Sequence, residues 1–155
     1  MLRRRTRRNI SPMTTTDTLP TINERTWFAQ QRHLEAGDMD AWADLWAPDG
    51  RMRVAYPIAG VPPELEGRET IKALMTGFAS AVDGIAYREA TFHPTLDPDV
   101  AFAEHLLHVD LPGGGAYENR YAMRLRFRDG LLLELVEYYG ERAHEDFLRA
   151  LGVID

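Results

Sequence analysis

The stretch AYENRYAMRLRFRDGLLLELVEYYG, residues 116–140, predicts two antiparallel strands joined by a tight turn. Before the RDG sequence at 128–130 the chain alternates between apolar and charged side chains, and after it the chain is rich in leucine, valine and tyrosine. Such alternation is typical of a strand with one buried face, and Asp-Gly favours a hairpin turn. We therefore expect strands over 117–128 and 131–139.

The first of these strands has one apolar and aromatic face and one charged face. The apolar face carries Tyr117, Asn119, Tyr121, Met123, Leu125 and Phe127. We expect this face to line the interior, where Asn119 and Tyr121 offer hydrogen-bonding groups and Met123 forms part of the wall. A core tyrosine with a satisfied hydroxyl explains Tyr121 equally well. The arginines of the charged face predict a surface that is solvated or faces a second subunit.

The second strand contains two glutamates that cannot share a face, because they are three residues apart. Glu134 lies on the face of Tyr138, and Glu137 lies on the more uniformly apolar face that includes Tyr139. An apolar environment disfavours the charged form of a carboxyl group and so raises its pKa. Such a carboxyl group can act as an acid or a base near neutral pH. Glu137 is thus the first candidate for a catalytic residue. The alternative is a structural glutamate that is paired with an arginine or exposed at a sheet end.

The rest of the chain predicts three N-terminal helices, further strands and a closing helix. Thr21 and Glu24 have the spacing of a capping box, and Gly37 is a typical helix end. Helices are expected over 22–36, 39–46, 67–81 and 141–151, a turn over 48–50, and strands over 51–56, 85–93 and 100–110. These elements define an α+β fold in which a strongly bent, mostly antiparallel sheet wraps around the helices.

Length and composition exclude several classes of protein. The 155 residues fit one domain, the absence of cysteine excludes disulfides and thiolate chemistry, and no apolar run is long enough to span a membrane. The first twelve residues hold five arginines and no acid, so the remainder has 13 basic and 24 acidic residues, a net charge of −11. This acidic body argues against nucleic acid as a partner. We expect residues 1–20 to be a disordered or mis-assigned extension, and residues 21–155 to form a single domain.

The segment GDMDAWADLWAPDGRMRVAYPIAG, residues 37–60, resembles the corresponding part of the nuclear transport factor 2-like, or SnoaL-like, superfamily. The blocks AYENRYAMRLRFRDG and LVEYYGERA resemble the last two strands of these proteins. The resemblance implies a cone-shaped α+β barrel, in which the sheet and the helices enclose one deep apolar pocket. It also implies a homodimer formed through the outer face of the sheet.

Two groups within this superfamily allow a residue-by-residue comparison. The phenazine-biosynthesis A/B proteins have a YEN motif before a DG turn and a functional glutamate that falls on Glu137, while their helical histidine falls near Leu74. In the ketosteroid isomerases the general base falls on Tyr56, and the two oxyanion donors fall on Gln30 and Met123. Because all three positions differ, the resemblance does not extend to steroid isomerase chemistry.

A partner for Glu137 is sought among the histidines. His105 and His108 are three residues apart and therefore lie on opposite strand faces, so they cannot chelate one metal ion from a regular strand. One of them could face the pocket. His108 is the weaker candidate on parity alone, yet it falls on a histidine of the superfamily. Tyr56 and Trp42 are further candidates for pocket walls, although simple core packing also explains Trp42. No metal or cofactor site is indicated.

Together these features predict a cytoplasmic enzyme that uses cofactor-free acid/base catalysis on a hydrophobic, conjugated or polycyclic metabolite. Isomerisation, dehydration and cyclisation remain open as reactions, plausibly in secondary metabolism. A non-catalytic binding or interaction module of the same fold is the alternative. An epoxide hydrolase would need paired aspartates flanking an arginine inside the pocket, and no such spacing is present.

Overall fold

A computed structural model describes residues 21–59 and 61–155, and the predicted N-terminal extension lies outside this range. The described residues form four helices and six strands. In chain order they are α1 (Ile22–Ala36), α2 (Met39–Asp44), β1 (Trp46–Val54), β2 (Glu64–Glu66), α3 (Arg68–Ser80), β3 (Gly84–Pro94), β4 (Val100–Asp110), β5 (Ala116–Arg128), β6 (Leu131–Tyr139) and α4 (Glu141–Ala150).

All six strands belong to one curved, open sheet with the order β2-β1-β6-β5-β4-β3. Four of its five pairings are antiparallel, and β1 pairs with β6 in the parallel direction. The predicted α+β fold with a mostly antiparallel curved sheet is confirmed. The helices cover one face of the sheet, because that face carries the apolar residues that each strand presents at every second position. The largest fully buried side chains of the core between helices and sheet are Trp27, Trp42, Trp46, Leu34, Ile71, Leu125, Leu132, Leu135 and Val109.

Helix α1 begins and ends where its capping residues predict. The Thr21 hydroxyl oxygen accepts a hydrogen bond from the Glu24 backbone N–H at 3.1 Å. At the other end Gly37 has a φ of 71°, and its N–H bonds to the last carbonyls of the helix. The Thr26 hydroxyl donates to the Gly130 carbonyl at 2.7 Å and so ties this helix to the β5–β6 turn.

The start of β1 differs from the prediction. Trp46 was expected at the end of the second helix and 48–50 as a turn, but both belong to β1. The register moves from Trp46 opposite Leu132 to Arg51 opposite Glu134, so the residues between them bulge out of the ladder. A side chain at Gly50 would lie 2.9 Å from the Trp46 ring. The Pro-Asp-Gly sequence therefore forms a bulge within β1 that lies against the buried Trp46 ring, and the chain direction does not reverse.

Candidate active site

Glu137 lies on the inner face of the sheet, between β1 and β5. It stands opposite Met123 on β5 and Val54 on β1, and directly paired residues share a face. Glu134, on the outer face, bonds to the guanidinium groups of Arg53 at 3.2 Å and Arg124 at 2.5 Å. The two glutamates of β6 thus occupy opposite environments, as the strand period requires.

The Glu137 carboxyl is set deeply in the protein although part of the residue remains accessible to solvent. Within residues 21–59 and 61–155 no cation and no hydrogen-bond donor pairs with this carboxyl group. Burial raises its pKa to about 7. Its negative charge adds to burial in raising the pKa of the Tyr87 and Tyr121 hydroxyls. Glu137 can therefore change between acid and base near neutral pH.

A chain of hydrogen bonds beside Glu137 runs along the inner face of β5. The Tyr117 and Tyr121 hydroxyl oxygens are 2.9 Å apart, and the Asn119 amide N–H donates to the Tyr117 oxygen at 2.9 Å. Asn119 is held in turn by the Gly140 backbone, to whose carbonyl it donates at 2.8 Å and from whose N–H it accepts at 3.3 Å. The predicted residues Asn119 and Tyr121 are brought together, and Tyr117 is a member that the sequence did not single out.

Helix α4 adds His144, which the sequence did not indicate. Its Nδ1 lies 3.3 Å from the Tyr117 hydroxyl and 3.4 Å from the Tyr121 hydroxyl. Its ring contacts the Tyr139 ring at a centroid distance of 4.4 Å, while Phe147 of the same helix stacks on Tyr117 at 4.3 Å. Burial lowers the pKa of His144 to about 4, so the ring is neutral at pH 7.

His105 is the histidine of β4 that faces inward. Only 2% of its surface is exposed, its ring stacks on Tyr121 at 5.2 Å, and Tyr87 meets it edge-on at 4.8 Å. Burial lowers its pKa to about 4. Among the residues that the structure describes, none forms a hydrogen bond with its Nδ1. A neutral ring nitrogen is therefore buried beside Tyr121 without a hydrogen-bond partner among the described residues.

His108 was predicted as a partner for Glu137, but the structure places it on the opposite face of the sheet. The side chain lies on the outer face, where Nδ1 is 2.8 Å from Glu118 and Nε2 is 3.1 Å from Asp110. Parity decides the matter, since His108 stands opposite the outward-facing Glu118 of β5. Of the two histidines of β4, His105 is the one that faces inward.

The other predicted wall residues divide between the inner face, the core and the outer face. Met123 and Tyr139 are buried on the inner face. Trp42, 1% exposed, packs against the Trp46 ring at 5.6 Å within the core. Tyr56 is not an inner wall, because it is 55% exposed and meets the outward-facing Tyr138 ring edge-on at 6.3 Å.

Tyr56 and Tyr138 instead line a depression of about 410 Å³ on the outer face of the sheet. The other residues that line it are Arg53, Val54, Ala55, Arg124 and Val136. The described residues, 21–59 and 61–155, contain no group of three or more His, Asp or Glu arranged for a metal ion. No helix of this part of the chain is long and apolar enough to cross a membrane.

A curved sheet with helices on its inner face is the architecture of a cone-shaped α+β fold. A family model described as a SnoaL-like domain matches residues 25–135, so the chain belongs to the SnoaL-like family, as predicted. An uncharacterised PhzA/B-like protein of Pseudomonas aeruginosa is 35% identical over 125 residues, which cover 80% of this chain and 86% of that protein.

Two solved structures illustrate the shared fold. A phenazine biosynthesis-related protein from Pseudomonas aeruginosa superimposes with a TM-score of 0.71 at 20% identity, over 86% of this chain and 83% of its own. A Mycobacterium tuberculosis protein in complex with estradiol-17β-hemisuccinate superimposes with a TM-score of 0.69 at 20% identity, over 79% of this chain and 97% of its own.

Proposed function

We propose that this protein is a small cytoplasmic enzyme that performs cofactor-free general acid/base chemistry on a hydrophobic, conjugated or polycyclic metabolite. The observation that carries the proposal is the Glu137 carboxyl, which faces the interior, has no partner among the described residues and has a pKa of about 7. An unpaired buried carboxyl group costs stability, and active sites are the usual places where such a cost is retained.

Glu137 acts as the base that removes a proton from a carbon next to a carbonyl group and then returns it at another position. The electron pair of the broken C–H bond moves onto the carbonyl oxygen, which becomes an enolate. Tyr121 donates a hydrogen bond to this oxygen, and its fixed position avoids reorganisation during the reaction. Isomerisation returns the proton to carbon, whereas dehydration or cyclisation uses the same enolate as its starting point.

Two further groups orient the substrate. Asn119 holds Tyr117, which in turn contacts the Tyr121 hydroxyl. The unpartnered His105 Nδ1 supplies a second hydrogen-bonding atom beside Tyr121. The apolar side chains around these groups favour a hydrophobic substrate and exclude water from the reaction.

The relatives support the substrate class. The estradiol derivative bound to the Mycobacterium tuberculosis protein is a polycyclic compound, and the Pseudomonas aeruginosa structure is phenazine biosynthesis-related. Against the epoxide hydrolase alternative, the inward-facing positions of β4, β5 and β6 contain neither aspartate nor arginine. Against a pure binding module, the Glu137 carboxyl is not neutralised by an ion pair within the described residues.

We also propose a homodimer that covers the outer face. The depression there combines aromatic side chains with two arginines that are already paired to Glu134. Tyrosine and arginine are enriched at the centres of protein interfaces. This surface lies on the opposite side of the sheet from Glu137, so association through it would not cover the Glu137 carboxyl group.

The test uses 1-tetralone, a bicyclic aromatic ketone with acidic protons next to its carbonyl group. In D₂O these protons are exchanged for deuterium, and ¹H NMR follows the loss of their signal. Wild-type protein should accelerate the exchange above the buffer rate, with a rate that rises through about pH 7 as Glu137 ionises. Glu137→Gln should abolish the acceleration.

Glu134→Gln and His108→Ala are the matched controls, because both residues lie on the outer face. Both should exchange at the wild-type rate. Equal rates for the wild-type protein and Glu137→Gln would contradict the proposal.

A further inference from the structure

Helix α4 places a neutral histidine at the end of the tyrosine chain. His144 Nδ1 is within 3.4 Å of both the Tyr117 and the Tyr121 hydroxyls. The helix is fixed in this place by aromatic contacts, since Phe147 stacks on Tyr117 and the His144 ring lies against Tyr139. The imidazole is therefore part of the site, although it comes from a segment beyond the last strand.

The protons of this chain can be counted. The Asn119 amide nitrogen can only donate, so the Tyr117 oxygen accepts from it. The two tyrosine hydroxyls have two protons but only one contact with each other, at 2.9 Å. Whichever way that contact points, one hydroxyl proton is left, and within the described residues His144 Nδ1 is the acceptor within reach.

The order of the chain follows from cooperativity. A hydroxyl that accepts one hydrogen bond becomes a better donor for the next. In this order Asn119 donates to Tyr117, Tyr117 donates to Tyr121 and Tyr121 donates to His144. Every donor then has an acceptor, and the last contact is the longest at 3.4 Å. The Tyr121 proton is thus polarised by two donors before it, yet it rests on a distant acceptor.

We propose that His144 is a positioning residue that holds the Tyr121 proton in the empty site, and that the carbonyl oxygen of a substrate displaces His144 as the acceptor. The inference rests on the proposed function and adds to it the chemistry of the ligand. The ligand must carry a carbonyl or enolate oxygen on an otherwise apolar framework.

The geometry of β5 and β6 supports this position for the oxygen. Tyr121 stands opposite Tyr139, and Glu137 stands opposite Met123, so Tyr121 and Glu137 are diagonal neighbours on one face. The Cα atoms of such a pair are roughly 7–8 Å apart. A carbonyl oxygen at Tyr121 then leaves the adjacent carbon within reach of the Glu137 carboxyl group.

Displacement has a consequence that a purely structural role would not have. His144→Phe keeps an aromatic ring against Tyr139 and Phe147 but removes the competing acceptor. The variant should bind 1-tetralone more tightly than the wild-type protein by about fivefold, the worth of one hydrogen bond that no longer has to be exchanged. Its affinity for tetralin, the same framework without the oxygen, should not change.

The experiment measures both dissociation constants by ligand-observed NMR for the wild-type protein, His144→Phe, Tyr121→Phe and Glu137→Gln. Tyr121→Phe should lose the preference for tetralone over tetralin. Glu137→Gln should keep it, so the binding result stands apart from the exchange reaction that tests the proposed function. Without a preference for tetralone in either the wild-type protein or His144→Phe, including no measurable binding of either compound, the inference is wrong.

The unliganded protein supplies a second readout. The ¹⁵N shifts of the His144 ring should show a proton on Nε2 and an accepting Nδ1, and replacing both Tyr117 and Tyr121 by phenylalanine should move the Nδ1 signal toward that of a free nitrogen. A proton on Nδ1 would overturn the proposed direction of the chain. Equal or weaker binding of tetralone by His144→Phe would show that the ring only packs.

Discussion

The Glu137 carboxyl should make the free energy of unfolding fall as the pH rises, and Glu137→Gln should remove this dependence. In the folded protein its pKa is about 7, against 4.5 for an unperturbed glutamate. The folded state therefore binds this proton more tightly than the unfolded state does. Between these two values the folded protein holds more protons, so the free energy of unfolding falls as the pH rises, and below pH 4.5 the effect vanishes.

The magnitude follows from the difference between the two pKa values. At 1.36 kcal/mol per pH unit the full penalty above pH 7 is about 3 kcal/mol, and partial access of solvent to the residue lowers it. From pH 5 to pH 8 the wild-type protein should thus lose about 2 to 3 kcal/mol relative to Glu137→Gln. Glutamine has nearly the same shape and no charge, so the variant retains the packing while it removes the titration.

The assay is urea denaturation of both proteins at half-unit steps from pH 4 to pH 8.5, and the quantity of interest is the difference between their unfolding free energies. All other titrating groups are common to both proteins and cancel. Glu134→Gln is the control, since it removes a carboxylate from the same strand on the outer face, where Arg53 and Arg124 pair with it. This control should keep the wild-type slope. A constant difference between wild type and Glu137→Gln across this range would refute the reasoning.

Three other predictions concern the fold and its assembly. Gly50→Ala should lower the free energy of unfolding by about 1–3 kcal/mol in urea denaturation, because its Cβ would lie 2.9 Å from the Trp46 ring and 3.0 Å from the Ala47 carbonyl; an unchanged midpoint would contradict the tight approach. Thr21→Ala should cost about 1 kcal/mol through loss of the α1 cap, and Thr21→Ser should restore it. Tyr138→Lys should leave the circular dichroism spectrum unchanged but reduce the mass in light scattering from a dimer to a monomer, and a monomeric wild-type protein would disprove the dimer.

Local patterns were enough to predict most of the elements. The cap at Thr21, the left-handed Gly37 and the alternation in β5 each depend on residues close together in the chain, and each is present in the structure. The same period placed Glu137 and Glu134 on opposite faces. Such features are decided by backbone geometry, so they can be derived from the sequence alone.

Features that depend on distant partners could not be derived. The parallel pairing of β1 with β6 and the bulge before Arg51 arise because Trp46 is buried opposite Leu132, and neither residue signals this locally. Tyr56 was placed inside by a superfamily position, but it lies beyond the end of β1 at Val54 and is exposed beside Tyr138.

The histidines illustrate the limits within the site. Parity separated His105 from His108 and made His108 the weaker candidate for the inner face, and the pairing of His108 with the outward-facing Glu118 places it on the outer face. His144 gave no signal beyond its place on an amphipathic helix. Its role depends on how α4 packs against Tyr117, and that packing depends on Phe147, which stacks on the tyrosine.

The most direct measurement is the pKa of Glu137 itself, from the side-chain carboxyl ¹³C shift followed by NMR between pH 3 and pH 9 and assigned by its absence in Glu137→Gln. A midpoint of about 7 is expected, because burial without a partner disfavours the charged form. A midpoint near 4.5 would show that the carboxyl group is solvated or paired, and it would remove the basis for Glu137 as the acid/base residue.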